Sequence, residues 1–589
     1  MKKRSEIEEK YKWDLSGYFK DDDAFYREYE ELKTHLHDFD KFKGKLADEK
    51  TMLDCLKLEQ DISLRLEILY VYASLKTRED ATNSFYRERL TLVDTLASKF
   101  SVETTFIDIE IKKYKTSDLK RLAATTPYKN YFKGMIKDRR LILSEKEEKI
   151  ISMSGEMAGG FSENFDVFDD GDLKFPSPKD STGKKHTLTH SNYVELMQSD
   201  DRTLRKNTIK ALNGAYGKFN NLLASNYIHN VKKNVFYTRL RKFKSTLDLS
   251  IYSEEASRKV YDTLIAAIHD NLYVFHKYFD VKRRSLGLNK FAIYDQFAKE
   301  KGIKKTYTFA EAIELIKKAT LPLGKEYQGL IDRAVNERWI DIYPNENKDS
   351  GAFSWGAYSK NPVVLTNFIG DTNSVFTLAH ELGHAMHTYF SNSTQNFDQA
   401  GYTIFVAEVA SNVNEMLLLK YLSENSSDKS DKIYYYDHFL SELKGSAFRQ
   451  LMFSEFEQFA HEQYENDKPI SAKVLNDYYY QLNKTYFGKD VELVPEIKYE
   501  WSRIPHFYNA FYVYKYAIGI IAAIYIVYKV LPSEPERYLN FLKSGSTKDP
   551  ISLLKDAGVD LKDKKVIKNA FDYALNIIDN WEKLLFRRK

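Results

Sequence analysis

Helix breakers are so scarce at the start of this 589-residue chain that they dictate how it can fold: no proline precedes Pro127, and only Gly17 and Gly44 interrupt the stretch before it. Proline in a helix interior removes a backbone donor and clashes with the preceding turn, so a stretch without it can run as long helices. Apolar residues recur there at helical spacing, as in Leu53, Leu56 and Leu58 and again in Leu64, Leu66 and Leu69. An N-terminal helical region is predicted. Composition shifts between Gly159 and Lys185, where the segment Phe175-Pro-Ser-Pro-Lys-Asp-Ser-Thr-Gly183 gathers turn-forming residues. This shift divides the chain into an N-terminal helical region, residues 1–185, and a second region, residues 186–589. Helical patterning resumes near Ser191 and continues to about Trp339. Between Ile340 and Gly370, the glycines 351 and 356, Pro362 and the run Val363-Val364-Leu365 predict a small sheet. The expected fold class is mainly α.

Charge excludes some partners. With 89 basic and 85 acidic residues the net charge is only +4, too little to argue for nucleic acid. The basic stretch Lys232–Lys244 reads as a solvated helix face, with Phe236, Tyr237, Leu240 and Phe243 as its apolar side. A single cysteine, Cys55, allows no intrachain disulfide and favours a reducing compartment. The first ten residues are charged with no apolar run behind them, so no secretory signal is expected and the cytoplasm is the expected location. The longest apolar stretch, Tyr516 to Tyr528, falls short of the roughly 20 residues of a membrane span and predicts a buried helix. No membrane partner is expected. There is no glycine-rich phosphate-binding fingerprint and no internal repeat, and no feature of the sequence bears on oligomeric state.

The segment Thr377-Leu-Ala-His-Glu-Leu-Gly-His-Ala-Met-His387 contains His-Glu-x-x-His. Residues four apart share one helix face, so His380 and His384 can bind one metal ion, and Glu381 can reach a water there without being a ligand. That is the placement a general base needs. A catalytic zinc site takes three protein ligands, so a third is required. His387 lies on the same face, but about 10 Å along the helix axis from His380 at ~1.5 Å per residue, too far to converge with both other rings. A supporting role is the most it can have. The spacing of a third histidine after a glycine, six residues beyond the second, is absent, because Thr388 to Phe390 occupy those places. A carboxylate on a second helix remains, and Phe405-Val-Ala-Glu-Val-Ala-Ser-Asn-Val-Asn-Glu415 offers Glu408 and Glu415. Glu408 has small neighbours in Ala407, Ala410 and Ser411, which let two helices approach closely. The competing role for Glu408 is a salt bridge.

These residues, together with Gly351-Ala-Phe-Ser-Trp-Gly-Ala-Tyr358 and Ile504-Pro-His-Phe-Tyr-Asn-Ala-Phe-Tyr-Val-Tyr-Lys-Tyr516, resemble the oligoendopeptidase F branch of the thimet oligopeptidase family. The N-terminal third resembles it only loosely. The resemblance implies one zinc ion at His380, His384 and Glu408, with Glu381 as general base. It also implies a bowl-like helical fold with a deep channel that admits short unfolded peptides, and a strand around Gly351, Ala352 and Phe353 that binds the peptide backbone. By the same resemblance His506, Tyr508, Tyr512 and Tyr514 approach the scissile carbonyl. His506 and Tyr514 are the expected catalytic donors, and Tyr508 and Tyr512 contact substrate. The chain lacks the glycine-rich insertion that thimet members carry in this motif. The implied activity is a zinc-dependent endopeptidase of short peptides. A helical zinc carboxypeptidase shares the His-Glu-x-x-His motif and differs in its products. A peptide-binding or structural zinc protein has no use for Glu381.

Overall fold

In the computed structural model, which describes residues 2–298 and 305–586, helices dominate and strands are few and short. The mainly α expectation is met. The elements used below are helices α1 (Glu49–Glu79), α2 (Ser84–Ile111), α3 (Asn220–Leu240), α4 (Thr246–Ser253), α5 (Thr372–Thr394), α6 (Ile404–Asn425), α7 (Gln450–Glu465) and α8 (Tyr514–Tyr525). The strands are β1 (Phe291–Ala292), β2 (Ile340–Asp341), β3 (Phe353–Trp355), β4 (Val363–Leu365) and β5 (Val491–Glu492). The long N-terminal helices α1 and α2 are those that the scarcity of breakers predicts. The apolar stretch from Tyr516 begins inside α8, which is buried along nearly its whole length. Among the described residues no helix is long and apolar enough to cross a membrane.

The chain forms two compact units, each assembled from three stretches: Met1–Ile142, Lys304–Leu418 and Val527–Asp549 in unit 1, and Leu143–Ile303, Leu419–Ile526 and Pro550–Lys589 in unit 2. Residues 143–185 of the expected N-terminal region thus belong to unit 2, and those before them to unit 1.

In unit 1, the expected sheet between Ile340 and Gly370 has the order β2-β4-β3. β2 pairs with β4 in parallel, and β3 pairs with β4 antiparallel, with Ser354 opposite Val364. β3 is therefore an edge strand. One apolar core runs from Trp13, Phe25, Leu69 and Val93 into Val363 and Leu365, with Phe353 and Trp355 packed on it. The N-terminal helices thus support the sheet from behind by burial of apolar surface. A buried lysine completes that support: Lys348 Nζ donates to the carbonyls of Asp341, Tyr343 and Thr366 at 3.2, 2.8 and 2.6 Å and pairs with the Asp341 carboxylate at 2.7 Å. A charge this deep is tolerated because all its protons have acceptors. After β4 the chain turns at Gly370, whose φ of +84° suits glycine and whose missing Cβ would stand 2.7 Å from the Tyr307 carbonyl oxygen. Asp371 then caps α5, accepting the Ser374 N–H at 2.8 Å.

In unit 2, α3 and α7 pack together. In the half of α3 that carries the basic stretch, Val231, Val235 and Thr238 are buried, whereas Phe236 is 53% exposed. That corrects part of the apolar side expected for the basic stretch. Helix phase against α7 chooses the buried face, and Phe236 follows Val235 by one residue, a rotation of about 100°.

Candidate active site

Helix α5 carries His380, Glu381 and His384, and packs against strands β3 and β4. Helix α6 brings Glu408 and Glu415. The two helices touch at a glycine: a Cβ on Gly383 would sit 2.6 Å from Ser411 Cα and 2.7 Å from the Ala410 carbonyl oxygen. Gly383, the second variable position of the His-Glu-x-x-His motif, thus meets the small residues expected to permit close approach. Asn414 ties the same helices, donating to the Ala379 carbonyl at 3.0 Å and accepting from the Tyr327 hydroxyl at 2.8 Å.

His380, His384 and Glu408 each direct one ligand atom into a common space, all within 4.8 Å of one another. The Glu408 carboxylate lies 3.5 Å from His380 Nε2 and 3.9 Å from His384 Nε2. Ser411 Oγ donates to the same carboxylate at 3.3 Å. Two imidazoles and one carboxylate converging from two helices fit a divalent metal that takes nitrogen and oxygen donors. The other face of His380 is occupied: Nδ1 meets Glu415 Oε1 at 2.5 Å. Such a partner holds the ring with Nε2 aimed at the ligand space. Glu415, one of the two carboxylates on the predicted helix, therefore stands behind a histidine instead of joining the three convergent groups. The spacing of two turns from Glu408 puts both on one face, but cannot say which of them reaches which nitrogen.

Electrostatics separate the side chains. Burial drives the His384 imidazole well below its usual pKa, as do the nearby His380 and His387 rings, so it is neutral, as a ligand must be. At His380 burial acts in the same direction, but the carboxylates of Glu415, Glu381 and Glu408 overcome it and carry the pKa up to about 9. Glu381 is 6% exposed. Burial, opposed by His380 and reinforced by Glu408 and Glu415, pushes its carboxyl up to about 7. A carboxyl poised there can accept and return a proton near neutral pH. His387 contributes no atom to the convergent group. Its ring stacks face to face on Tyr402 at 3.8 Å, and burial lowers its pKa to about 3.

The remaining predicted residues occupy two places. Gly351, Ala352 and Phe353 lead into and begin edge strand β3 in unit 1, and the Gly351 carbonyl accepts from Asn367 at 2.9 Å. His506, Tyr508, Tyr512 and Tyr514 lie in unit 2, in the segment leading into α8. There the His506 ring neighbours Tyr512 at 6.0 Å and Tyr516 at 6.1 Å, and these two tyrosines are 5.5 Å apart. All three are half-buried. Burial lowers the His506 pKa, so its ring is neutral at neutral pH. Tyr508 stacks on Phe165 at 4.9 Å and accepts from Asn226 at 3.0 Å. Tyr514, only 1% exposed, packs edge-on against Tyr261 at 5.2 Å. Sequence reasoning passed over Tyr516 as the end of a motif, although its four-residue spacing from Tyr512 placed both on one side of the helix start.

A mostly helical chain with this motif and a carboxylate converging from a second helix has the make-up of a metallopeptidase. The sequence profile of Peptidase family M3 matches residues 195–573, and that of Oligopeptidase F matches residues 110–175. The chain is 36% identical over 597 residues to Oligopeptidase PepF of Bacillus subtilis (strain 168), covering 100% of this chain and 89% of that protein. It is 34% identical over 593 residues to the plasmid-encoded Oligoendopeptidase F of Lactococcus lactis subsp. cremoris, covering 99% of each. Its fold is similar to that of a crystallised chain from Chlamydophila abortus, with a TM-score of 0.92, 32% identity and coverage of 99% and 100%. It is similar too to oligoendopeptidase-F from Enterococcus faecium, with a TM-score of 0.75, 30% identity and coverage of 96% and 100%. The chain belongs to peptidase family M3, in its oligoendopeptidase F branch, and is a peptidase.

Proposed function

We propose that the chain is a zinc-dependent endopeptidase that hydrolyses internal bonds of short unfolded peptides, with its catalytic machinery in residues 186–589. One observation carries the reading: the ligand atoms of His380, His384 and Glu408 converge within 4.8 Å, with the buried carboxyl of Glu381 one residue along from His380. His380, His384 and Glu408 would hold the ion, and two nitrogens with one carboxylate suit zinc. Zinc bound there supplies Lewis acidity and brings the pKa of water down to roughly 7.

The chain's own groups do the rest. Glu415 orients His380 through Nδ1. Glu381 takes a proton from the attacking water and passes it to the leaving amine, a role its elevated pKa supports. Edge strand β3, led into by Gly351 and Ala352 and begun at Phe353, pairs with β4 on one side only among the described residues, so its outer edge can pair with an extended peptide and bind it with little regard to sequence. His506 donates a hydrogen bond to the developing oxyanion as a neutral imidazole. Tyr512 lies beside it to contact substrate, and Tyr514, expected as a second donor, supports the segment from the core. One oxyanion donor is worth on the order of 3 kcal/mol. The names of the relatives, oligopeptidase and oligoendopeptidase, support short peptides and internal cleavage.

The test is cleavage of an end-blocked, internally quenched peptide, with and without a chelator, beside a folded protein containing the same sequence. Internal cleavage of the peptide alone, abolished by chelator and restored by zinc, is expected. Release of single residues from a free C-terminus with no cut in the blocked peptide would replace this reading with a carboxypeptidase.

A further inference from the structure

In unit 2, α7 carries a carboxyl that the chemistry above does not use. Glu457 is 0% exposed, and its Oε1 accepts the backbone N–H of Phe511 at 2.7 Å. Its Oε2 meets no hydrogen-bond partner among the described residues. Burial pushes this carboxyl well above the usual range, although the Phe511 N–H and the Lys515 charge pull the other way. Burial thus favours its protonated form, and the group serves as an acceptor for one amide.

The residue it holds is unusual. Phe511 has a φ of +56°, in the left-handed region that side chains with a Cβ rarely adopt. Its ring is buried, 5.1 Å from His461 and 6.4 Å from Tyr261, so glycine could not stand in without leaving a hole. This inverted residue falls between His506 and Tyr512. The rest of the segment is pinned at residues of ordinary backbone: Asn230 of α3 donates to the Phe507 carbonyl at 3.1 Å, Asn226 of α3 to the Tyr508 hydroxyl at 3.0 Å, and Ser250 of α4 to the Ala510 carbonyl at 3.4 Å. Among the described residues, the Glu457 hydrogen bond is the one that acts on the backbone of the inverted residue. His461, one turn along α7, donates its Nδ1–H to the Glu457 carbonyl at 2.9 Å and packs on the Phe511 ring, so one turn of α7 grips both the amide and the side chain.

We infer that Glu457 is a positioning residue: its carboxyl accepts the Phe511 N–H and so holds the left-handed turn that sets His506 beside Tyr512 and Tyr516. It touches no substrate. The inference rests on the reading that His506 and Tyr512 act at the scissile bond. Losing the acceptor leaves the buried Phe511 amide without this partner and the turn without this support.

The experiment compares Glu457→Met, which keeps the volume and removes the acceptor, with Glu457→Gln, which keeps a neutral acceptor. Each is also made in a His506→Ala background, and kcat, KM, zinc content and near-UV circular dichroism are measured. Glu457→Met is expected to lower kcat about 10- to 100-fold, as a catalytic group displaced by roughly 1 Å does, with zinc content unchanged. Glu457→Gln stays close to the parent enzyme. In the His506→Ala background Glu457→Met adds little, because the group it positions is already gone. Parent-like kcat in Glu457→Met, full additivity with His506→Ala, or a Gln variant as impaired as the Met variant would each overturn the inference. If His506→Ala by itself leaves turnover intact, the reading of the segment fails and the inference falls with it. Where Glu457→Met does not fold, Glu457→Asp, which withdraws the acceptor by one methylene, takes its place with the same expectations.

Discussion

Each compact unit sets a glutamate behind a group expected to act in catalysis, and the two are handled in opposite ways. In unit 1, Glu415 faces a basic partner. It helps hold the His380 imidazole at a pKa of about 9 against the effect of burial, and the pair meets at 2.5 Å. In unit 2, Glu457 accepts a backbone amide, and burial pushes its carboxyl toward the protonated form. The first glutamate orients a side chain by charge, and the second shapes the backbone as a neutral acceptor. A carboxyl's role is set by whether its environment supplies a counter-charge, because an unpaired charge in low dielectric costs more than a retained proton.

The largest effect that sharpens the contrast comes from Glu381, next to one of the two histidines that converge with Glu408. Glu381→Gln should lower turnover by about two to four orders of magnitude while metal content stays at the parent level; turnover and metal analysis on the same preparation decide it. Parent-like turnover in the loaded variant would remove Glu381 from the chemistry. Next in size, Glu415→Gln should weaken metal affinity by about 10- to 100-fold, read by competition with a chromophoric chelator. Glu457→Gln should leave that affinity untouched. Equal losses in the two variants would erase the distinction between the units.

The helix contact beneath the metal ligands gives a smaller effect. Gly383→Ala places a methyl 2.6 Å from the Ser411 Cα, and backbone cannot rotate aside, so a loss of about 1–3 kcal/mol in stability is expected together with weaker metal binding. A variant with an unchanged melting temperature would mean that the helices can part at no cost. The smallest effect is a pH dependence. The folded pKa of Glu457 is raised above its unfolded value, so its contribution to stability is fully present below the unfolded pKa and declines as pH rises toward the folded one. Over that window a single proton accounts for up to about 1.4 kcal/mol per pH unit. Glu457→Gln should therefore flatten the fall in unfolding midpoint between weakly acidic and neutral pH. A parallel shift of the two curves would show that another group titrates there.

Much of this was legible in the chain because it follows from local rules. The absence of breakers before Pro127 allowed helices as long as α1 and α2, and the glycines and β-branched run after Ile340 marked the region of the three-stranded sheet. His380, Glu381 and His384 follow from helix periodicity alone, and the small residues around Glu408 foretold a close helix contact, though not that Gly383 would be its other half. Other features had no local signature. The exposure of Phe236 and the burial of Tyr514 depend on which way a helix is turned against its neighbours, and both residues are apolar enough for either outcome.

What the sequence by itself determined is therefore the set of helices and the ligand types, since spacing along one helix is a property of adjacent residues. Only the tertiary structure decided that Glu408 enters the ligand space while Glu415 stands behind His380. Only it revealed Lys348 under the sheet and Glu457 beneath Phe511. Each of these pairs groups far apart in the chain, and the energy that selects them is desolvation, which is defined once packing has removed the water.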